Sequence, residues 1–176
     1  MKTLLADFDD QKIRYAAIGG FALGVLGIPR ATMDLDFLVQ RDDLDKLHSV
    51  LAALGYQRYV RTENVSQYRH AEDQWGSVDI VHAFRKAALG MLSRAKGYPI
   101  FDGAQDVRVV NPEDVIGLKV QAMVNDADRR PQELADIERV MAVYGRRLDW
   151  QRIEEFYELF ELVDEARRLR RRFEHA

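Results

Sequence analysis

An α/β (α+β) fold, a mixed β-sheet backed by helices with a helical segment after it, is predicted by three features of this 176-residue sequence. Short runs with period-two alternation recur among helix-like stretches up to Val110: Tyr15–Ile18, Met33–Val39, Tyr56–Arg61, Ser66–Ala71 and Ser77–Val81. Beyond Val110 only the helical period continues. Between the two regimes stands Asn111-Pro112-Glu113, a strong helix start: Asn111 suits the N-cap, Pro112 the first helical position, and Glu113 and Asp114 the positive end of the helix. The chain is therefore divided into a core over 1–110 and a C-terminal helical segment over 111–176 that packs on it.

The elements follow in order. Thr3 to Asp10 reads as a helix with Leu4, Leu5 and Phe8 on one side. Tyr15 to Ile18 is a strand, Gly19-Gly20 a turn, and Phe21 to Leu26 a helix stopped by Gly27-Ile28-Pro29, because proline biases its predecessor towards extended backbone. Met33 to Val39 is the second strand. Asp42 caps a helix to about Leu54 with the stripe Leu44, Leu47, Val50, Leu51 and Leu54, and Gly55 ends it. Of the three strands that follow, the first two join through Thr62-Glu63-Asn64. Lys86 to Lys96 is helical, and a hairpin over Ile100–Val110 turns at Asp102-Gly103. Helices from Pro112 to about Val124 and from Pro131 to about Tyr144, then one or two over Trp150 to Phe173, complete the chain.

Composition narrows the function. With 47% apolar and 31% charged residues this is a soluble globular chain, and the absence of cysteine excludes disulfides, thiolate zinc sites and cysteine nucleophiles. No apolar run reaches membrane-spanning length, and MKTLLADFDD turns acidic too early for a signal peptide, so a cytoplasmic protein with no membrane partner is expected. Up to Val110 there are 14 basic and 14 acidic residues, and beyond it 12 and 15, which is not the balance of a general nucleic-acid binder but leaves room for local patches. No histidine among His48, His70, His82 and His175 has metal-ligand spacing, and His82 is expected in a core or surface role.

The chemistry concentrates in YAAIGGFALGVLGIPRATMDLDFLV, Tyr15 to Val39. Strand alternation puts Asp34 and Asp36 on one face and Leu35, Phe37 and Val39 on the other. Two adjacent carboxylates repel, and a hard divalent ion such as Mg²⁺ relieves that repulsion. Gly19-Gly20, without Cβ atoms, lets backbone N–H groups approach a phosphate. Taken singly, the glycines are also a tight turn and the aspartates a solvated strand face; together they suggest phosphoryl or nucleotidyl transfer. In SVDIVHAF, Asp79 is a lone carboxylate within an apolar strand, a position that calls for a cation or an Arg partner.

Gly19-Gly20, thirteen residues, then Asp34-Leu35-Asp36-Phe37 resembles the signature of the nucleotidyltransferases of the DNA polymerase β-like superfamily. The version IGGFALGVLGIPRATMDLDF, with Arg30 and Thr32 leading into the aspartates, is most similar to the small bacterial abortive-infection (AbiEii/AbiGii toxin-type) branch. The resemblance implies a nucleotidyltransferase core over 1–110, NTP as co-substrate and two Mg²⁺ ions held by Asp34, Asp36 and Asp79. It also implies that Gly19, Gly20, Arg30 and Thr32 bind the nucleotide, and that Asp79 is a third metal ligand or the base. In the looser match of PEDVIGLKVQAMVNDADRRPQELADIERV, Lys119 would contact phosphates and Asp136 would assist the acceptor or orient the lysine; Arg129 and Arg130 are weaker candidates. Many relatives carry serine where this chain has Gly20, which leaves only backbone donors at that turn. The expected reaction moves an NMP to an acceptor hydroxyl on RNA, such as a tRNA end, or on protein, in a toxin-antitoxin setting with an antitoxin partner. The alternatives are an aminoglycoside- or lincosamide-type antibiotic nucleotidyltransferase and a catalytically silent binding module. The arginines from Arg167 to Arg172 read either as a solvated helix end or as a patch for RNA or triphosphate.

Overall fold

In the computed structural model, which describes residues 1–72 and 75–176, the sheet is built around strand β1 (Tyr15–Ile18), buried along its whole length. Six further strands complete it: β2 (Leu35–Gln40), β3 (Tyr56–Arg61), β4 (Val65–His70), β5 (Ser77–Ala83), β6 (Lys96–Ile100) and β7 (Gln105–Val109), in the order β3-β4-β5-β2-β1-β7-β6. The β2–β5 and β1–β7 pairs are parallel and the others antiparallel. This is the mixed α/β architecture the alternation predicts. The chain forms two compact units, Met1–Val110 and Asn111–Ala176.

The first unit's core lies on the sheet face that carries Leu35, Phe37 and Val39, all buried. Helix α1 (Lys2–Asp10) sends Phe8 into edge-to-face contact with Tyr15 and Phe37, at centroid separations of 5.0 and 5.4 Å. Each such ring contributes about 1.5–3 kcal/mol by burial. Helix α3 (Leu44–Ala53) buries Leu47, Val50 and Leu51 and places His48 against Tyr68 on that same face. The opposite face carries Asp36, Leu38, Gln67 and Asp79. There α2 (Gly19–Val25) begins directly against Asp36. Leu38 is fully buried as well, because central strand β2 is covered on both sides.

Several boundaries differ from the sequence reading, each for a physical reason. Strand β2 begins at Leu35 rather than Met33: the Thr32 hydroxyl accepts from Asp34 N at 3.2 Å and holds residues 32–34 in a side-chain-closed turn. Asp42 does not cap α3. A 3₁₀ turn (Arg41–Asp43) precedes the helix, and Asp43 is instead buried, accepting from Arg14 N at 3.0 Å and Arg14 Nε at 2.7 Å. Helix α4 (Lys86–Arg94) is shorter than expected, and the hairpin longer, because Pro99 sits within β6, an edge strand that tolerates the missing donor.

The second unit is helical: α5 (Pro112–Asn125), α6 (Arg130–Tyr144), α7 (Trp150–Glu158) and α8 (Val163–Phe173). The stretch from Trp150 is two helices, interrupted at Glu161, whose φ is +59°. Gly117 admits Phe156 so closely that a Cβ there would stand 2.7 Å from the ring. Among the described residues no helix is long and apolar enough to cross a membrane.

Candidate active site

The register of β2 on β5 builds the site. Asp36 pairs with Asp79 and Leu35 with Val78, so the segment Asp34-x-Asp36 runs beside Ser77-x-Asp79 with like positions abreast. Asp36 and Asp79 are thereby neighbours on one face. At the other position Asp34 meets Ser77, whose Oγ donates to Asp34 Oδ1 at 2.9 Å and whose backbone N donates at 3.3 Å. One further strand outward Gln67 pairs with Asp79, and its Nε2 donates to Asp79 Oδ2 at 3.2 Å.

Two glycines make the approach between segments possible. Gly19, with φ +64°, lies so close to Asp36 that a Cβ would stand 2.0 Å from Oδ2. Gly76, with φ +68°, packs equally tightly on Met33 O, at 2.2 Å from a would-be Cβ, and so brings Ser77 level with Asp34. Side chains are strained at such φ values and blocked by these contacts. Gly20 abuts Thr32, whose Cβ lies 2.9 Å from the position a residue-20 Cβ would take, with Oγ1 at 3.3 Å. Thr32 thus stands beside the turn position at which a serine would bring a hydroxyl, with its own hydroxyl bonded to the backbone of Asp34. Arg30 is half-buried in the same connection between α2 and β2.

The sequence reading did not single out Gln67 or Ser77. The signal for Ser77 was present: the i, i+2 pattern Ser77-x-Asp79 repeats that of Asp34-x-Asp36, and a parallel pairing superposes them. Gln67 carries no such mark, because its role depends on the β4–β5 register.

In the second unit Lys119 and Asp136 do come together. Lys119 Nζ donates to Asp136 Oδ2 at 2.7 Å and to Glu133 Oε2 at 2.8 Å, and all three side chains are buried. Arg139 and Gln132 reach the other oxygen of Asp136, at 3.2 and 3.4 Å. Arg129 pairs with Glu133 and Arg130 with Glu165. The arginine run is largely neutralised: Arg167, Arg168, Arg170 and Arg172 pair with Asp164, Glu165, Glu154 with Glu174, and Glu138.

His82 is a structural histidine on the face opposite Asp79. Glu63 O can only accept, so His82 Nδ1 carries the proton that bridges 2.9 Å to it, and Nε2 accepts from Ser66 Oγ at 2.9 Å. Burial pushes its pKa down, and nearby guanidinium groups of Arg41, Arg61 and Arg58 add to the fall. Among the described residues no three His, Asp or Glu side chains form a metal-binding group; the sheet offers the pair Asp36 and Asp79, with Asp34 directed to Ser77.

A family model described as an uncharacterised nucleotidyltransferase matches residues 1–173. A search of curated proteins gives no match. Among solved structures, the antibiotic-resistance factor ANT(2'')-Ia is similar with a TM-score of 0.68 and 15% identity, over 99% of this chain and 95% of that one. The lincosamide antibiotic adenylyltransferase LnuA, lincomycin-bound, is similar with a TM-score of 0.57 and 17% identity, over 80% of this chain and 93% of that one. An antigenic nucleotidyltransferase-like protein from Paracoccidioides brasiliensis has a TM-score of 0.56 and 16% identity, over 96% and 88%. At these identities the likeness establishes the fold.

Proposed function

The chain belongs to this family of nucleotidyltransferases and is an enzyme of that class, and from that premise we propose that Asp34, Asp36 and Asp79 carry the transfer of an NMP from an NTP to an acceptor hydroxyl. The observation behind the reading is the parallel register that sets Asp36 beside Asp79 and Asp34 beside Ser77, with Gly19 pressed on Asp36. The acceptor oxygen bonds to the α-phosphorus, the bond from that phosphorus to the bridging oxygen breaks, and pyrophosphate leaves with the electron pair. Asp79 takes the hydroxyl proton, its carboxylate oriented by Gln67. Gly19, Gly20, Arg30 and Thr32 receive the phosphates.

The donor set fits a hard divalent ion. Paired carboxylate oxygens are its preferred ligands, and a cation removes their mutual repulsion. Asp36 and Asp79 would hold Mg²⁺, with Asp34 joining once released from Ser77; the ion supplies the positive charge that a triphosphate requires.

The acceptor is assigned to RNA or protein, in keeping with the abortive-infection resemblance, and an antitoxin partner belongs to the same proposal. The antibiotic substrates named for ANT(2'')-Ia and LnuA motivate the second reading. One experiment separates them: α-labelled NTP and Mg²⁺ are incubated with the protein and, separately, with RNA, protein extract, aminoglycosides or lincosamides. Label on RNA or protein supports the first reading, and label on a drug the second. In either case Asp36→Asn and Asp79→Asn reduce transfer by at least about 10²-fold and chelation abolishes it. Undiminished transfer in both variants overturns the site assignment.

A further inference from the structure

Strands β4 and β3 continue the sheet outward past Asp79, and the register fixes what they show on the carboxylate face. Gln67 pairs with Asp79 and Arg69 with Ser77, and directly paired residues project to the same side. Hydrogen bonds tie both rows together: Gln67 Nε2 donates to Asp79, and Ser77 Oγ donates to Asp34. Arg69 therefore ends the row Asp34, Ser77, Arg69, two strand spacings or about 10 Å from Asp34. Its guanidinium lies 5.0 Å from the centre of the Tyr59 ring, a contact that brings Tyr59 onto the same face. Tyr59 stands where the β3–β4 register shifts, between Arg58 and Val60, an irregularity of the kind that re-aims a side chain. The tyrosine is 51% exposed, which leaves half of it open to a ligand.

This shelf has a definite charge. The two strands, YQRYVR and VSQYRH, contain no acidic residue. Arg58 and Arg61 pair with Tyr68 and Ser66 and so belong to the reverse face, whereas Arg69 stands beside the carboxylates. The carboxylates of the flanking turns are engaged elsewhere, Glu63 with Arg41 and Glu72 with Trp75 Nε1. A guanidinium without a counter-charge repels polycations and attracts anions, and its planar fork matches two phosphate oxygens. An exposed tyrosine ring is a surface on which any base stacks. The order of strands also separates the two substrates. Gly19, at the end of β1, lies on one side of Asp36, and Asp79 lies on the other. A hydroxyl delivered to Asp79 from beyond it thus arrives with the rest of its molecule over β4 and β3.

We propose that Tyr59 and Arg69 form the acceptor subsite and that it takes a single-stranded nucleic acid, with a phosphodiester on Arg69 and a base on Tyr59. As an acceptor subsite it rests on the reading of Asp79 as the base; as a strand-binding site it needs neither NTP nor metal.

The test is fluorescence anisotropy of the whole protein with a labelled single-stranded RNA, the DNA of the same sequence and a poly-glutamate peptide, each across a salt series without NTP or metal. Nucleic acid binds more tightly than poly-glutamate, and the tighter of RNA and DNA identifies the strand. Tyr59→Ala and Arg69→Ala each weaken binding at least about fivefold, and Arg69→Ala also flattens the log–log salt slope by about 0.7, the share of one phosphate contact. Arg69→Lys keeps the slope and loses part of the affinity. Arg61→Ala removes the same charge from the reverse face and changes affinity by less than about twofold. In the transfer assay at saturating NTP, Tyr59→Ala and Arg69→Ala raise the acceptor KM by the factors seen in binding and leave kcat within about twofold. Thermal shift with NTP and Mg²⁺ reads the nucleotide site separately and is the same in both variants as in the wild type. A wild-type protein without that shift overturns the transfer reading, and the acceptor role with it, whatever anisotropy gives. With the shift present, no binding of either nucleic acid, wild-type affinity in Tyr59→Ala and Arg69→Ala, an equal loss in Arg61→Ala, or preference for poly-glutamate would each overturn the subsite alone.

Discussion

At Gly19 the site depends on an absent atom. The residue sits at φ +64° with Asp36 Oδ2 where a methyl group would go, 2.0 Å from the ideal Cβ. Gly19→Ala therefore combines a left-handed backbone penalty of about 1–2 kcal/mol with a forced displacement of Asp36. Displacement of a reacting group by about 1 Å costs on the order of 10²-fold in rate. The expected outcome is a modest loss of stability in urea unfolding together with a far larger loss of metal-dependent NTP binding and turnover in the folded protein. If the glycine is only a turn, the variant that remains folded keeps its nucleotide affinity. The glycines and aspartates were legible because spacing alone exposes them. Gln67, Ser77 and the second tight glycine, Gly76, were not, since their meaning comes from strands that pair only in three dimensions.

Among the elements, α5 and α6 illustrate how a side chain flagged for chemistry is also a structural cation. Lys119 is the ammonium between two buried carboxylates, Glu133 and Asp136, on the facing helix. Removing one member of such a group leaves its partners charged and underpaired, which typically costs about 3–5 kcal/mol. Arg129 and Arg139 still face the carboxylates, so the low end applies. Lys119→Met should lower unfolding free energy by about 3 kcal/mol, and adding Asp136→Asn should recover part of it, a non-additivity that a double-mutant cycle reads directly. A stable Lys119→Met protein with weakened NTP affinity would instead mark the lysine as a phosphate contact. Periodicity foretold the apolar faces of these helices, but not that their polar residues close on one another. Likewise the sequence placed Asp42 as a helix cap, whereas tertiary pairing with Arg14 selects its neighbour Asp43 for burial.

For the molecule as a whole, the alternation of strand and helix was enough to predict a mixed sheet, because strand faces and helix stripes follow directly from burial. Strand order was not predictable, since β5 crosses to β2 and β7 to β1 between distant segments. That topology places several ionisable groups in the core, and they set limits on global stability. His82 has its pKa pushed below the ordinary 6.5, so as pH falls through 6.5 the unfolded chain takes up a proton that the folded chain does not. Stability therefore falls from 6.5 down to the folded value, by at most about 1.4 kcal/mol per pH unit. Asp43 is held below its ordinary 3.8 mainly by its hydrogen bond to Arg14; its contribution is intact above 3.8 and disappears as pH drops through the folded value. At the alkaline end, burial pushes the Tyr15 hydroxyl from 10.0 up to about 12, so the unfolded chain loses its proton first and stability declines as pH rises above 10. Thermal unfolding across pH should thus show a plateau bounded near 6.5 and 10. His82→Gln, whose amide can still donate to Glu63 O and accept from Ser66, should flatten the first acid limb while leaving the lower one tied to Asp43. A wild-type profile already flat from pH 6.5 downward to the carboxylate range would show that the folded protein protonates His82 as readily as the unfolded chain does, and that burial does not lower its pKa.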